Sequence, residues 1–144
     1  MREINFRGYA ERHKCFVYGD FHSLDDECFI IYKQCRTNDI IVPENVKVIP
    51  TTVGQCTGLK DQNGTEIYEG DIIKYLISGQ KRNGVVIWAK EICAFYMDDD
   101  FLCHHRHRNI SDWMQKYFHK EGVFEVIGNI HENPEIEHLK IVEG

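Results

Sequence analysis

Apolar and polar residues alternate with a period of two in several short stretches of this chain. Ile4 and Phe6 alternate with polar neighbours, and short β-branched or aromatic stretches follow at Cys15–Tyr18, Cys28–Tyr32 and Ala94–Met97. A period of two places the apolar side chains on one face of a strand. The pattern therefore predicts a mainly β protein.

One polar stretch and two prolines stand out in the first third of the chain. Residues Gly19–Glu27 are polar and rich in turn-forming residues, which predicts a surface loop. Pro43 and Pro50 flank Val46–Ile49. Because proline cannot donate a hydrogen bond to a neighbouring strand, this segment is predicted to be an edge strand.

Turn signals are strongest in the centre of the chain. Asp61–Gly64 and Asn83-Gly84 both contain an Asn-Gly pair, which tolerates the positive φ of a tight reversal and predicts two hairpins. Gly70-Asp71 predicts a bend before the apolar strand Ile72–Ile77. Short strands joined by tight turns and bent at glycines are typical of a small barrel. We therefore predict a bent β-barrel in residues 57–144.

Helix signals follow near the end of the chain. Ser111 is a good N-cap and Gly122 a stop signal, which predicts a helix over about 111–121. Asn133-Pro134 predicts that Glu135–Val142 is a short helix or a tail. The expected organisation is an N-terminal β-rich segment, residues 1–56, packed on the barrel, with one or two short helices.

Size and charge narrow the classes of protein. The 144 residues, 42% of them hydrophobic, suffice for one core. No apolar run approaches the roughly 18 residues of a membrane span, and the first residues lack the apolar region of a secretory signal. We therefore expect a cytoplasmic protein without membrane contact. The net charge of −6 argues against bulk nucleic-acid binding, which needs patches of Lys and Arg.

The six cysteines stand at positions 15, 28, 35, 56, 93 and 103, and none forms a Cys-x-x-Cys pair. A zinc ribbon is therefore unsupported. Cys15, Cys56 and Cys93 lie in apolar or strand-like stretches. We predict reduced and mostly buried thiols, because free cysteine packs as a small hydrophobic residue.

The densest cluster of chemistry-bearing side chains lies between the last central strand and the predicted helix: Cys103, His104, His105, Arg106, His107 and Arg108. Thiolate and imidazole groups suit zinc, and Cys93 lies ten residues upstream. The two arginines, between Phe101 and Trp113, could contact nucleic acid. A solvated polar connection accounts for the same composition and is favoured.

Carboxylates give a second set of candidates. Asp98, Asp99 and Asp100 could hold Mg²⁺, but successive side chains of an extended chain point to opposite faces, so an acidic loop is expected. The second group lies beside turns, where carboxylates bond local amides or are solvated: Glu66, Glu69 and Asp71. No catalytic, cofactor-binding or metal-binding residue is therefore assigned, and no cofactor is expected.

Three segments of the chain together resemble the YopX family. They are the opening Met1–Gly8, the central Thr57–Ile73 and the ending Glu125–Glu135, in the family's order. The resemblance thus extends over essentially the whole chain. Tyr9 stands where tryptophan is expected and His131 where tyrosine is usual, and both keep an aromatic ring.

The resemblance implies a small phage- or prophage-encoded protein whose C-terminal part is an SH3-like β-barrel. It implies no reaction and no set of catalytic residues. An SH3-like barrel offers an aromatic-lined groove, for which the chain supplies Tyr68, Tyr75, Trp88, Phe95, Tyr96 and Trp113.

The expected function is that of a noncatalytic binding or assembly module. A protein partner or a second copy of the chain is expected as the partner rather than bulk nucleic acid. The alternative is a metal-dependent hydrolase or nuclease that uses the acidic and histidine cluster at residues 98–107.

Overall fold

The structure is a computed structural model that describes residues 3–37, 40–77, 79–98, 110–113 and 124–137. Residue contacts divide the chain into two compact units, Met1–Gly58 and Leu59–Gly144. Both consist mainly of antiparallel strands, which confirms the predicted mainly β class. The predicted packing of residues 1–56 on a barrel stays a prediction.

The strands of the first unit form one antiparallel sheet in the order β4-β3-β2-β1-β5. A short 3₁₀ turn, Pro50–Thr52, precedes β5, and β5 continues into the second unit. The bounds are β1 Phe6–Ala10, β2 Cys15–Leu24, β3 Glu27–Thr37, β4 Ile40–Val48 and β5 Gly54–Lys60.

Strand β2 pairs with two different neighbours along its length. Cys15–Gly19 pairs with β1, and Asp20–Leu24 pairs with β3. Gly19 lies at the change of partner, where a Cβ would overlap the carbonyl oxygen of Ile31 and lie 3.0 Å from the Cα of Tyr32. Only glycine permits this approach of β3 to β2.

The predicted surface loop at Gly19–Glu27 is wrong. Gly19–Leu24 belongs to β2, and the reversal is confined to Asp25 and Asp26, where Asp25 has a φ of 52°. Phe21 packs against the core of the unit. Pairing with β3 and this burial therefore outweigh the local polarity of the segment.

The predicted edge strand at Val46–Ile49 is confirmed, although the strand is longer. β4 lies at the end of the sheet and contains Pro43. Val46 and Val48 are buried, and Val48 packs so closely over Gly8 that a Cβ there would lie 2.7 Å from Val48 Cγ2. The core of the unit consists of Ala10, Val17, Ile30, Val46 and Val48.

The second unit contains a four-stranded antiparallel sheet in the order β10-β7-β8-β9, while the short β6 pairs with β5. In the described residues, two helical segments accompany it. The bounds are β6 Glu66–Tyr68, β7 Asp71–Ile77, β8 Gln80–Ala89, β9 Ala94–Asp98, α1 Ile110–Trp113, β10 Phe124–Asn129 and α2 Pro134–Glu137. Its core consists of Ile67, Ile73, Tyr75, Val86, Phe95, Met97, Ile110 and Phe124.

The closed SH3-like barrel is not found in the described residues. β9 and β10 are the outer strands of the four-stranded sheet and do not pair with each other. The register of β10 against β7 shifts between Val126 and Gly128, so the sheet bends at this bulge. Bending without pairing of the outer strands leaves the sheet open.

The predicted hairpin at Asn83-Gly84 is also wrong. Both residues lie inside β8 and pair with Lys74 and Ile73 of β7. The reversal instead lies between the paired residues Ile77 and Gln80, at Gly79 with a φ of 76°. By contrast, the turn at Asp61–Gly64 is confirmed, because Gly64 has a φ of 81°.

Gly84 is required by packing rather than by a turn. A Cβ at this position would overlap Cγ of Met97 and lie 3.0 Å from its sulfur. Met97 is 1% exposed and therefore has little room to move. The glycine admits the Met97 side chain into the core.

The helix predictions are met in part. α1 begins at Ile110, one residue before the predicted N-cap, and residues 114–121 of the predicted helix lie outside the described residues. Residues Glu135–Val142 were predicted to be a short helix or a tail, and the described part of this segment is helical: α2 begins at Pro134, and the Ile136 N–H donates to the Asn133 carbonyl. Residues 138–142 lie outside the described residues.

Candidate functional site

A groove with a volume of about 390 Å³ lies in the first unit, between the β1–β2 turn and the end of β4. We call it the β4 groove. Its lining combines an apolar floor with charged side chains at the rim and consists of Glu11, Arg12, Lys47, Val48, Ile49 and Pro50.

Backbone hydrogen bonds hold the end of β4 beside β1 and so shape the β4 groove. The Ile49 N–H donates to the Tyr9 carbonyl at 2.9 Å. The Tyr9 N–H donates to Oγ1 of Thr52 at 2.8 Å, and that hydroxyl donates to the Ile49 carbonyl at 2.6 Å. Thr52 is buried, so these bonds are shielded from water. The groove lies beside these bonds, between residues 11–12 and residues 47–50.

Of the two cationic side chains at the rim of the groove, one is paired within the protein. Lys47 forms an ion pair with Glu27 of β3. Arg12 is exposed and has no hydrogen-bond or ion-pair partner in the described part of the chain. Arg12 is therefore the cation at this rim that remains available to a ligand.

A second group of polar side chains lies along β4, around Glu44. Its carboxylate is 4.0 Å from Nε2 of His13, and Tyr32 of β3 is its partner residue in the β3–β4 pairing. Desolvation, and then the charge and hydrogen bond of Glu44, raise the pKa of Tyr32 above its ordinary value. Tyr32 therefore loses its proton less readily than an ordinary tyrosine.

The most specific segment of the resemblance, Thr57–Ile73, contains a buried carboxylate that ties two distant parts of the chain together. Oδ1 of Asp61 accepts the N–H groups of Asn63 at 2.8 Å and Thr65 at 2.9 Å. Oδ2 accepts the N–H of Val126 in β10 at 3.0 Å. Asp61 therefore closes its own turn and anchors it to β10.

Two further polar residues of the resembling segments also bond backbone groups. Oδ2 of the buried Asp71 accepts the N–H of Tyr68 at 2.8 Å. Oδ1 of Asn129 accepts the N–H groups of His131 and Glu132, both at 3.0 Å. Both side chains bond backbone groups of turns, and Asp71 was one of the carboxylates for which bonds to local amides were predicted.

Most of the candidate metal or nucleic-acid residues lie outside the described residues. These are Asp99, Asp100, Cys103, His104, His105, Arg106, His107 and Arg108. Asp98 is described and ends β9. In the described ranges, no three His, Cys, Asp or Glu side chains are placed to share a metal ion.

Three of the six aromatic residues expected to line an SH3-type groove are buried instead. Tyr68, Tyr75 and Phe95 are buried. Trp88 is 47% exposed and packs edge-to-face on Phe95, with ring centroids 5.0 Å apart. Desolvation, followed by the nearby Asp98 and Glu91 charges, raises the pKa of Tyr96 above its ordinary value. The side chain of Trp113 is not described.

The cysteine prediction is correct for Cys56, which is buried, and wrong for Cys15 and Cys93, which are exposed. Cys15 begins β2 beside the β1–β2 turn, and Cys93 lies in the β8–β9 turn with a φ of 49°. Their positions at the ends of strands expose them despite the apolar neighbours in the sequence.

Thiol labelling is expected to follow this exposure. In the native protein, iodoacetamide should modify Cys15 and Cys93 at least about tenfold faster than Cys56, because a buried thiol must wait for local opening. Peptide mapping by mass spectrometry after timed labelling measures each rate, with protein in urea as the control in which the rates converge. Equal rates in the native protein would contradict the assigned burial.

The sequence did not single out the β4 groove. Its parts come from residues 11–12 and 47–50, which are far apart in the chain and carry no motif. The proline at position 50 predicted an end to the edge strand but no ligand site. Only the pairing of the strands brings the two segments together.

None of the helices in the described part of the chain combines the length and the apolar character needed to cross a lipid bilayer. A search of the curated proteins gives no match. Among solved structures, the chain is similar to the crystal structure of protein EF1440 from Enterococcus faecalis, with a TM-score of 0.54 and 23% identity. The likeness covers 94% of this chain and 99% of that one, and it supports the fold alone.

Comparison with protein families gives a nearly complete match. The model of the YopX protein family matches residues 5–137, a range that includes β1, the Asp61 turn and β10. The side chains that hold these turns, Asp61, Asp71 and Asn129, all lie in the matched range. The chain therefore belongs to the YopX family.

Proposed function

We propose that this protein is a noncatalytic binding module that recognises a protein partner through the β4 groove. We further propose that it acts in the cytoplasm in phage or prophage biology, as the family resemblance implies. The proposal concerns a defined surface of the first unit and needs no residue of the second.

The observation that carries the proposal is the composition of the β4 groove. Its volume of about 390 Å³ falls within the range of about 300 to 1,000 Å³ typical of ligand pockets. Val48, Ile49 and Pro50 provide apolar surface, and Arg12, which has no partner among the described residues, provides a polar group that fixes orientation. A partly open site of this kind suits a segment of another protein.

The roles of the polar residues in the family segments favour a noncatalytic module. Asp61 and Asp71 are buried and accept backbone N–H groups of neighbouring turns. A carboxylate whose lone pairs are used in this way supports the fold and does not face a substrate. The metal-dependent hydrolase at residues 98–107 stays a prediction.

Charge reversal in the β1–β2 turn tests the proposal. The tagged wild-type protein, Arg12→Glu and Lys14→Glu are each used to purify partners from cells that naturally encode the protein. Lys14 is the matched control, because it is an exposed cation of the same turn that does not line the groove. We expect wild type and Lys14→Glu to retain the same partner and Arg12→Glu to lose at least about 80% of it.

Purification alone does not locate the binding surface, so hydrogen exchange of the isolated complex completes the test. Protection on binding is expected at residues 47–50 and in the β1–β2 turn. Equal recovery of the partner by all three proteins, or protection only elsewhere in the chain, contradicts the proposal.

A further inference from the structure

We infer that the occupant of the β4 groove is an extended, carboxylate-bearing segment of the partner protein, which adds as a short strand to the outer edge of β4. This inference rests on the proposed binding function and specifies its ligand. Three features carry it: the direction of the β4 backbone groups, the limits of the open edge, and the charge of Arg12.

The direction of the β4 backbone groups follows from the bond between Ile49 and Tyr9. Ile49 is extended, with a φ of −69° and a ψ of 120°, and its N–H points away from β3 toward β1. Backbone groups of successive strand residues point to alternate sides. Lys47 and Asn45 therefore also direct their N–H and C=O groups away from β3. Neither has another backbone partner in the described residues.

The open edge is limited at both ends. Pro43 shares the outward direction of Asn45 and Lys47 but has no N–H to donate. At the other end, the N–H of Ile49 is already bonded to Tyr9. The edge between them accommodates one short strand, in the manner of β-strand addition to a sheet edge. Pro43 and the charge of Lys47 also discourage longer pairing with a second β4 edge.

The charge of the ligand follows from Arg12. Its guanidinium group presents a planar set of donors that suits the two oxygens of a carboxylate. Lys47 is engaged by Glu27, so Arg12 sets the preference at this rim. Glu11 is the carboxylate in the lining, and it opposes an acidic ligand. The apolar floor favours aliphatic side chains next to the acidic residue of the ligand.

The test uses a random heptapeptide library displayed on a carrier and selected against the immobilised full-length protein. Enriched peptides should combine aspartate or glutamate with neighbouring aliphatic residues. The affinity of the best peptide is then measured by fluorescence anisotropy. We expect Arg12→Glu to weaken it about tenfold or more and Lys14→Glu to change it less than about twofold. Glu11→Gln should tighten binding about twofold, because it removes a like charge.

Hydrogen exchange and backbone methylation test the strand geometry. In the free protein, the amides of Asn45 and Lys47 should exchange faster than those of Val46 and Val48, and peptide binding should slow the first pair selectively. N-methylation of every second amide of the peptide should abolish binding when it blocks the amides that face β4. It should leave binding unchanged when it blocks the intervening amides, because only one edge of an added strand bonds β4.

Several outcomes overturn the inference: selection that yields no peptide, enrichment of basic or neutral peptides, equal affinity for Arg12→Glu, or equal sensitivity to methylation of either set of amides. If the partner purification depends on Arg12 while the peptide results fail, the binding function stands and the strand-addition mode is wrong. If the purification shows no dependence on Arg12, the proposed function itself fails.

Discussion

Replacing Gly19 by alanine is expected to destabilise the first unit by about 3 kcal/mol, because the new methyl group would overlap the backbone of β3. The neighbouring atoms are the carbonyl group of Ile31 and the Cα of Tyr32, which cannot rotate away as a flexible side chain can. Relief requires β3 to move, which disturbs its pairing with β2 and β4. Urea denaturation followed by circular dichroism measures the change in the free energy of unfolding.

Gly79→Ala provides the matched control for this substitution. A Cβ at Gly79 meets no atom within 4 Å. Alanine there should therefore lower the free energy of unfolding only through the strain of a positive φ of 76°, by about 1 kcal/mol. If Gly19→Ala lowered the free energy of unfolding no more than Gly79→Ala, β2 and β3 would not approach each other closely at Gly19.

Replacing Asp61 by alanine is expected to cost about 3 kcal/mol in the second unit. The substitution leaves the N–H groups of Asn63, Thr65 and Val126 without their acceptor in a site where Asp61 is only 7% exposed. It also removes a link between the turn and β10. Urea denaturation monitored by the fluorescence of Trp88 and Trp113 reports on this unit.

Two further variants test whether the expected loss comes from the hydrogen bonds of Asp61. Asp61→Asn keeps the oxygen facing Asn63 and Thr65 but turns an amide group toward the N–H of Val126, so we expect a smaller loss of about 1 to 2 kcal/mol. Glu91→Ala, at an exposed acidic residue of the same unit, should change the free energy of unfolding by less than about 0.5 kcal/mol. Similar losses for Asp61→Ala and Glu91→Ala would refute the anchoring role.

The sequence predictions were correct where a residue determines its own backbone conformation, and wrong where a contact with a distant strand determines it. The turn at Asp61–Gly64 was predictable because an Asn-Gly pair favours positive φ in its own backbone. The start of α2 at Pro134 was predictable for a similar reason, since proline already has a helical φ. Asn83-Gly84 carries the same signal, but Met97 from another strand occupies the space above Gly84 and the pair lies in β8.

The candidate site was not predictable, because its parts lie far apart in the sequence. Arg12 is an ordinary charged turn residue, and Lys47 an ordinary charged residue of an edge strand. They line one groove because the end of β4 bonds to β1 through Ile49 and Tyr9. A contact across about forty residues leaves no short motif to recognise.

The sequence by itself determined the YopX membership, the mainly β class and the turns whose residues bias their own backbone angles. The tertiary structure alone decided that the Gly19–Leu24 segment is strand, that the second sheet is open, and that Asp61 reaches β10. These features depend on which strands pair and which side chains fill the space between them. Such choices are made by contacts distant in sequence, where the free energy of burial and pairing exceeds local preference.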